Sequence, residues 1–156
     1  MKKGFTILAV TLLTFILVGC GSKSAKKLSC TMDYSSKAGM PSGIKMIMSA
    51  DINFTNKDKI GDMTIAVTFE LNDTYKSQID TLIQSMDSTY KNQYKGDHFK
   101  VSTEKVSDSS FKTEIFMDYK NMTDEEKKAA NMAGSNASES YAVNKKDLEA
   151  QGFTCK

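Results

Sequence analysis

The sequence predicts an α+β fold: an antiparallel β-sheet, made of a three-stranded meander plus a hairpin, packed by one long amphipathic helix and followed by short C-terminal helices. Three observations favour this class. Apolar and polar residues alternate in several separate runs, which is typical of half-buried strands. One later segment instead has apolar residues every three or four positions, which is typical of a helix. Turn-forming residues separate these segments, and the chain has the usual size of a single domain.

Three alternating runs predict the antiparallel meander. Their apolar members are Leu28, Cys30, Met32 and Tyr34, then Ile44, Met46, Met48, Ala50, Ile52 and Phe54, then Met63, Ile65, Val67, Phe69 and Leu71. Gly39, Pro41 and Gly43 predict a turn between the first two runs. An Asn-Lys-Asp-Lys segment at 56–59, followed by Gly61, predicts the second turn.

The apolar period then changes from two to three and four. This change predicts an amphipathic helix over about residues 74–93, with Gly96 as its stop. Two more alternating segments, 99–103 and 111–119, predict a hairpin around a polar turn at 107–110. The pattern does not identify which strand of the meander this hairpin pairs with.

The last third of the chain predicts two short helices. Thr123 followed by Glu126 has the pattern of a capping box that opens a helix over about 124–133. Asn144 is expected to cap a final helix, after which Phe153 anchors the tail. Residues 135–140 are expected to form a loop between the two helices.

The first 19 residues have the three parts of an export signal. Lys2 and Lys3 precede an uncharged stretch of fourteen residues, 5–18, and the small residue Gly19 follows. A membrane-crossing helix needs about 20 apolar residues, so this stretch is short for a permanent span. We therefore expect residues 1–19 to be a cleaved signal peptide.

The segment Leu17-Val18-Gly19-Cys20 resembles the processing site of a bacterial lipoprotein. The resemblance implies that the mature protein begins at Cys20, whose thiol carries lipid, and that it lies on the extracytoplasmic face of the cell membrane. Residues 20–27 would be a lipid-anchored tether, and residues 28–156 a single α+β domain. An ordinary signal with a chance cysteine and an uncleaved anchor helix remain alternatives.

The charge balance gives no indication of a nucleic-acid partner. All 21 basic residues are lysines, and two belong to the signal, which leaves 19 lysines against 19 acidic residues. The mature chain is therefore neutral by formal charge. It also contains no arginine, the side chain favoured for bidentate recognition of phosphates and bases. Lysines in the tether, including Lys23, Lys26 and Lys27, have two open interpretations: contact with anionic headgroups, or a soluble linker.

Cys30 and Cys155 are left as a pair once Cys20 is assigned to lipid. In an oxidising compartment we expect them to form a disulfide that joins the two ends of the domain. Two unpaired thiols are the alternative. A metal site is disfavoured, because two widely spaced cysteines have no histidine near them.

Several short segments together carry a family resemblance: Tyr90-Lys91-Asn92, Gly96, Asp118-Tyr119, Thr123-Asp124-Glu125-Glu126 and Ala150-Gln151-Gly152-Phe153. They are similar to segments of the YehR-like family of bacterial lipoproteins. The resemblance covers roughly residues 75–156 plus the lipoprotein signal. It implies no particular activity and no functional residues, because the family has no established biochemical function.

Residues with catalytic chemistry are few, so we expect no enzyme and no cofactor. His98 is the only histidine, which excludes histidine-rich metal sites within the chain, and a structural histidine is the favoured interpretation over a catalytic one. Asp118, Asn121 and Asp124 have a spacing faintly like a calcium loop, but a solvated turn is the better interpretation. A glycosidase pair is a remaining option, drawn from Glu70, Asp73, Asp87, Glu104 and Glu114.

Met46 and Met48 are weak candidates for a Cu(I) site, since thioethers are soft ligands on the same strand face. Packing in an adaptable core is the favoured alternative. Two function classes are thus predicted. One is a lipid-anchored, non-catalytic binding or accessory module for an unidentified protein, peptide or small molecule; the other is a structural or interaction protein of the cell envelope. A pocket beneath the long helix would favour a ligand binder, and a filled core with an exposed edge strand would favour an interaction module.

Overall fold

The structure is a computed structural model that describes residues 25–35, 41–129 and 140–156 of the 156-residue chain. It confirms the α+β class: an antiparallel sheet with few helices. The elements in chain order are β1 Lys26–Asp33, β2 Ile44–Phe54, β3 Ile60–Leu71, α1 Asp73–Lys76, α2 Ile79–Gln93, β4 Phe99–Ser107, β5 Ser110–Met117, a 3₁₀ turn Tyr119–Asn121, α3 Asp124–Ala129, α4 Tyr141–Ala150 and β6 Thr154–Cys155.

A six-stranded sheet, ordered β4-β5-β3-β2-β1-β6, contains all of these strands. The meander and the hairpin belong to the same sheet, because β5 pairs antiparallel with β3. That pairing supplies the neighbour that the sequence pattern did not identify. β6 was not predicted, since a strand of two residues is too short to show alternation.

The helices cover one face of the sheet, where the register aligns apolar residues from strand to strand. One such row consists of Leu28, Ile52, Met63, Met117 and Phe99. The buried core has two clusters. The larger contains this row and extends to α4 and the C-terminal tail, where Phe153 packs against it as expected. In the smaller cluster, Leu71, Ile79 and Phe111 pack with residues of α2.

The predicted helix over 74–93 is divided in the structure. Asn72 caps α1 by accepting a hydrogen bond from the backbone N–H of Thr74. The backbone N–H of Gln78 then donates to the carbonyl of Tyr75 at 2.9 Å, a tighter three-residue turn that interrupts the helix. α2 begins at Ile79, so its apolar stripe keeps the predicted residues but its first turn starts later.

The capping box of α3 is present. The Thr123 hydroxyl accepts from the N–H of Glu126 at 3.2 Å, and a Glu126 carboxylate oxygen accepts from the N–H of Thr123 at 2.9 Å. The predicted cap of the last helix is wrong. Ser140 is the N-cap of α4, while Asn144 lies inside the helix and donates its amide to the Ser140 carbonyl at 2.9 Å. Residues 130–139 lie outside the described part.

β1 starts two residues earlier than the predicted domain boundary. Lys26 and Lys27, which were assigned to the tether, are strand residues and form ion pairs with Asp58 at 3.6 Å and Asp51 at 3.5 Å. The signal peptide and the tether up to residue 24 lie outside the described residues. Within the described ranges, every helix is too short or too polar to cross a membrane.

Candidate functional site

The predicted bond between Cys30 and Cys155 is present and lies between β1 and β6. The two residues are also Cα partners in the antiparallel ladder, 4.1 Å apart. Backbone hydrogen bonds in both directions between Ser29 and Lys156, at 3.2 and 2.9 Å, extend this pairing. The C-terminal tail is therefore held as the edge of the sheet. Cys20, the predicted lipidation residue, lies outside the described residues.

Met46 and Met48 lie on the helix-bearing face of β2, on the side that the alternation predicts. Met32 of β1 is the Cα partner of Met48, so a third thioether joins this surface. All three side chains are partly buried, and none belongs to either of the two core clusters. Packing in an adaptable core stays a prediction for Met46 and Met48, which lie on the covered face but outside these two clusters.

His98 precedes β4 and is engaged with the first turn of α3. Its Nδ1 atom lies 2.8 Å from Oε2 of Glu126, the oxygen that also accepts the Thr123 N–H. This backbone hydrogen bond, and then the contact with His98, hold the pKa of Glu126 below its ordinary value, although desolvation opposes them. The geometry gives His98 a role in anchoring a helix terminus.

Gly96 makes the close approach of this carboxylate possible. Its φ is +137°, a conformation that side chains rarely adopt. A Cβ built at this position would overlap the Glu126 carboxylate. The predicted helix stop is therefore also the point where the α2–β4 connection passes directly against α3.

The carboxylates considered for glycosidase chemistry are separated over several elements. Glu104 and Glu114 are brought together, but Lys112 lies between them, 3.7 Å from the first and 2.9 Å from the second. The hydrogen bond that Lys112 donates to the Glu114 carboxylate is the main cause of the raised pKa of Lys112. Glu70 pairs with Lys45 at 3.3 Å. The remaining two lie on helices: Asp73 in α1, and Asp87 in α2, where it pairs with Lys91 at 2.8 Å.

Asp118 and Asn121 do meet, because the 3₁₀ turn folds the Asn121 amide onto Oδ2 of Asp118 at 2.8 Å. The other oxygen of Asp118 is buried and has no hydrogen-bond partner among the described residues. Across the described ranges, no three His, Cys, Asp or Glu side chains are grouped as a metal site would require. This segment is a hydrogen-bonded turn before α3.

A pocket of about 390 Å³ lies at the end of the sheet where β1 begins. The turn between β2 and β3 contributes Lys57 and Lys59, and the segment after β5 contributes Lys120 and Lys127. None of the described residues that line it is acidic. We call this site the lysine pocket, and define it by these four residues together with Tyr119.

The conformation of the turn between β2 and β3 directs its acidic and basic side chains to different neighbours. Asp58 has φ of +60° and directs its carboxylate to Lys26 at 3.6 Å and to the backbone N–H of Tyr141 at 3.3 Å. Lys57 and Lys59 on either side of it line the pocket. Opposite them, the ammonium of Lys127 lies 4.8 Å from the centre of the buried Tyr119 ring, a cation–π contact.

The sequence did not predict this pocket. Lys57 and Lys59 lie in a predicted polar turn, and Lys120 and Lys127 lie around a predicted helix. No local pattern connects segments 60 residues apart. Only the pairing of β3 with β5 brings the end of β5 beside the start of β3. The four lysines then line one pocket.

Comparison of the chain with known protein families and with curated protein sequences gives no match. A similar solved structure is the NMR structure of a protein from Streptococcus pneumoniae TIGR4. The two chains are 12% identical with a TM-score of 0.54, and the match covers 100% of this chain and 98% of the other. At this identity the likeness concerns the fold alone.

Proposed function

We propose that this protein is a bacterial lipoprotein, anchored through Cys20 on the extracytoplasmic face of the cell membrane, whose domain is a non-catalytic binding or accessory module. The observation that carries the proposal is the disulfide between Cys30 and Cys155. Structural disulfides persist in oxidising compartments, which is where the predicted signal would deliver the chain. The short motifs in the C-terminal half suggest membership of the YehR-like family of lipoproteins. Such membership agrees with an extracytoplasmic location.

The surroundings of the reactive side chains support a non-catalytic role. His98 is held by the capping carboxylate of α3, and Glu104 and Glu114 are bridged by a lysine. General acid–base catalysis needs a proton donor or acceptor directed at a substrate site, with a pKa matched to its task. These groups are instead directed at one another.

The packing beneath α2 favours a partner that binds at the surface. Leu82, Ile83 and Met86 of α2 pack against the cluster around Phe111, so that interface is filled by side chains. β4 forms one edge of the sheet over nine residues. The outward backbone N–H and C=O groups of an edge strand are unpaired, and an extended peptide can bind to them as a further strand. By the criterion of a filled core with an exposed edge strand, these features favour the alternative, an interaction role in the envelope, over binding of a small ligand beneath α2.

Metabolic labelling with a radioactive fatty acid tests the anchor. We expect the label on the wild-type protein and its loss in Cys20→Ala, together with loss of the protein from the membrane fraction. The variant with Cys30→Ala and Cys155→Ala is the matched control and should keep the label. Absence of label from the wild-type protein, or its retention in Cys20→Ala, would contradict the proposed anchor.

A second candidate function is Cu(I) binding, favoured by the unpredicted position of Met32 opposite Met48. Neighbouring strands place the Cβ atoms of such partners about 5 Å apart, and Met46 lies two residues along β2 on the same face. We infer that these three thioethers could serve as soft ligands of one Cu(I) ion. We expect stoichiometric Cu(I) binding that is lost on Met46→Leu with Met48→Leu.

A matched control for this test is Met63→Leu with Met117→Leu, a buried pair that faces each other across β3 and β5. Exchanges of Met for Leu usually cost less than about 1.5 kcal/mol, so both double variants should remain folded. Equal Cu(I) binding by the two double variants, or none by the wild-type protein, would exclude this second function.

A further inference from the structure

The lysine pocket concentrates positive charge on a protein whose mature chain is formally neutral. Lys57 and Lys120 form no ion pair with any residue of the described ranges, whereas lysines on the open sheet face, such as Lys45 and Lys112, are paired with carboxylates. These two lysines therefore bring positive charge to the pocket that no carboxylate of the described ranges neutralises. An anion bound in the pocket would be attracted to both.

The position of the pocket relates it to the membrane anchor. Lys26, the first residue of β1, pairs with Phe54, the last residue of β2. The turn that carries Lys57 and Lys59 follows directly, so the chain enters the domain beside the pocket. Cys20 is six positions before Lys26. Even fully extended, that segment spans only about 20 Å.

We propose that the lysine pocket binds the phosphate of an anionic phospholipid in the membrane to which the domain is tethered. This inference rests on the proposed function, because lipidation of Cys20 is what brings this end of the sheet to the bilayer. Lysine ammonium groups are strong donors to phosphate oxygens. Basic groups near a membrane surface each strengthen its attraction to anionic lipid.

The four lysines give the pocket a lining that suits an anion. Tyr119 and Ile60 also line it, but both are buried and expose little apolar surface. The volume of about 390 Å³ is within the range of small-molecule sites. Lysines act as point charges without the fixed fork of arginine, so we expect selection for negative charge and not for one headgroup shape.

Vesicle binding of the mature chain from Cys20, with Cys20→Ser so that it carries no lipid, tests the proposal. The probes are phosphatidylcholine vesicles with and without phosphatidylglycerol, and binding is measured by cosedimentation at low ionic strength. We expect binding only when phosphatidylglycerol is present. The triple variant Lys57→Gln, Lys120→Gln and Lys127→Gln should reduce this binding by at least about tenfold.

A matched control removes three lysines from elements at the opposite end of the sheet: Lys45→Gln, Lys76→Gln and Lys105→Gln. It has the same net charge as the pocket variant and should bind nearly as the parent chain does. Equal loss in the two triple variants would mean that binding follows net charge alone, and would overturn the proposal. Unfolding midpoints close to that of the parent would establish that both variants are folded.

Inorganic phosphate distinguishes a lipid from a free anion as the source of the phosphate group. We expect little binding of phosphate alone, measured by NMR shifts of the Lys57 and Tyr119 amides. Saturable phosphate binding without vesicle binding would overturn the lipid assignment. Since the chain tested carries no lipid, its vesicle binding is independent of the fatty-acid labelling of Cys20, and the two results can fail separately.

Discussion

The Nδ1 atom of His98 and the Oε2 atom of Glu126 lie 2.8 Å apart, which joins the residue before β4 to the first turn of α3. The same carboxylate caps the helix at Thr123 and lies against Gly96. Two segments distant in sequence, 96–98 and 123–126, thus meet at one side chain. Lys127 follows Glu126 in α3, so this junction also positions one wall of the lysine pocket.

The capping carboxylate predicts a stability that depends on pH. Because the pKa of Glu126 is lowered in the folded protein, its ionised form stabilises the fold above the ordinary carboxyl pKa of about 4.3. That contribution is lost as the pH falls through the lowered folded-state pKa. Glu126→Gln should therefore reduce the free energy of unfolding at neutral pH and have a smaller effect near pH 3, as measured by urea denaturation.

Glu125→Gln is the matched control for this measurement. It removes the same charge one position earlier, from a side chain with no hydrogen bond in the described part of the chain. Glutamine preserves the capping-box geometry, so the variants compare charge and not shape. An effect of Glu126→Gln that is unchanged between neutral and acidic pH would argue against the ionised cap.

Gly96→Ala should destabilise the protein, because the backbone there has positive φ and the new methyl group would overlap the Glu126 carboxylate. Strained backbone conformations of this kind cost about 1–3 kcal/mol. Thermal unfolding would measure the change. Gly61→Ala is the comparison: its backbone is not strained and its Cβ would be 3.3 Å from the Asn53 carbonyl, so a smaller effect is expected. Equal effects at the two glycines would refute the argument.

Removal of the disulfide with Cys30→Ala and Cys155→Ala should lower the free energy of unfolding by about 2–5 kcal/mol, the range for a native disulfide in a small secreted domain. We also expect faster amide exchange at Ser29 and Lys156, whose hydrogen bonds extend the β1–β6 pairing. Reductant should destabilise the wild-type protein but not the double variant. Stability of the wild-type protein that is insensitive to reductant would contradict the bond's contribution.

The two faces of β5 predict unequal effects of removing an aromatic ring. Phe111 is buried and stacks on Phe69 with ring centres 4.9 Å apart, so Phe111→Ala should cost about 3–5 kcal/mol. Phe116 lies on the open face, partly exposed, with Lys100 over its ring at 5.8 Å. Phe116→Ala should cost clearly less by chemical denaturation. A larger loss at Phe116 would mean that the open face is covered in solution.

Local patterns predicted the strands and the first turn of α3 because their causes are local. Side chains alternate between the faces of a strand, so Ile44 to Phe54 reveals its buried face without a known partner. Thr123 and Glu126 cap each other within one turn. The break before α2 and the cap at Ser140 were not predicted, because residue spacing allows more than one starting residue for each helix. Hydrogen bonds of the local backbone and of Ser140 decide between these starting residues.

By itself, the sequence determined the α+β class, the apolar face of each long strand and the pair of cysteines that bond. It also supplied the lipoprotein signature, which stays a prediction. Only the tertiary structure decided that β5 joins β3, that the tail forms a sixth strand, and that four lysines face one pocket. The physical reason is that periodicity is set within a segment. Strand order, and the placement of Lys57 and Lys120 around one pocket, depend instead on which segments bury surface against each other.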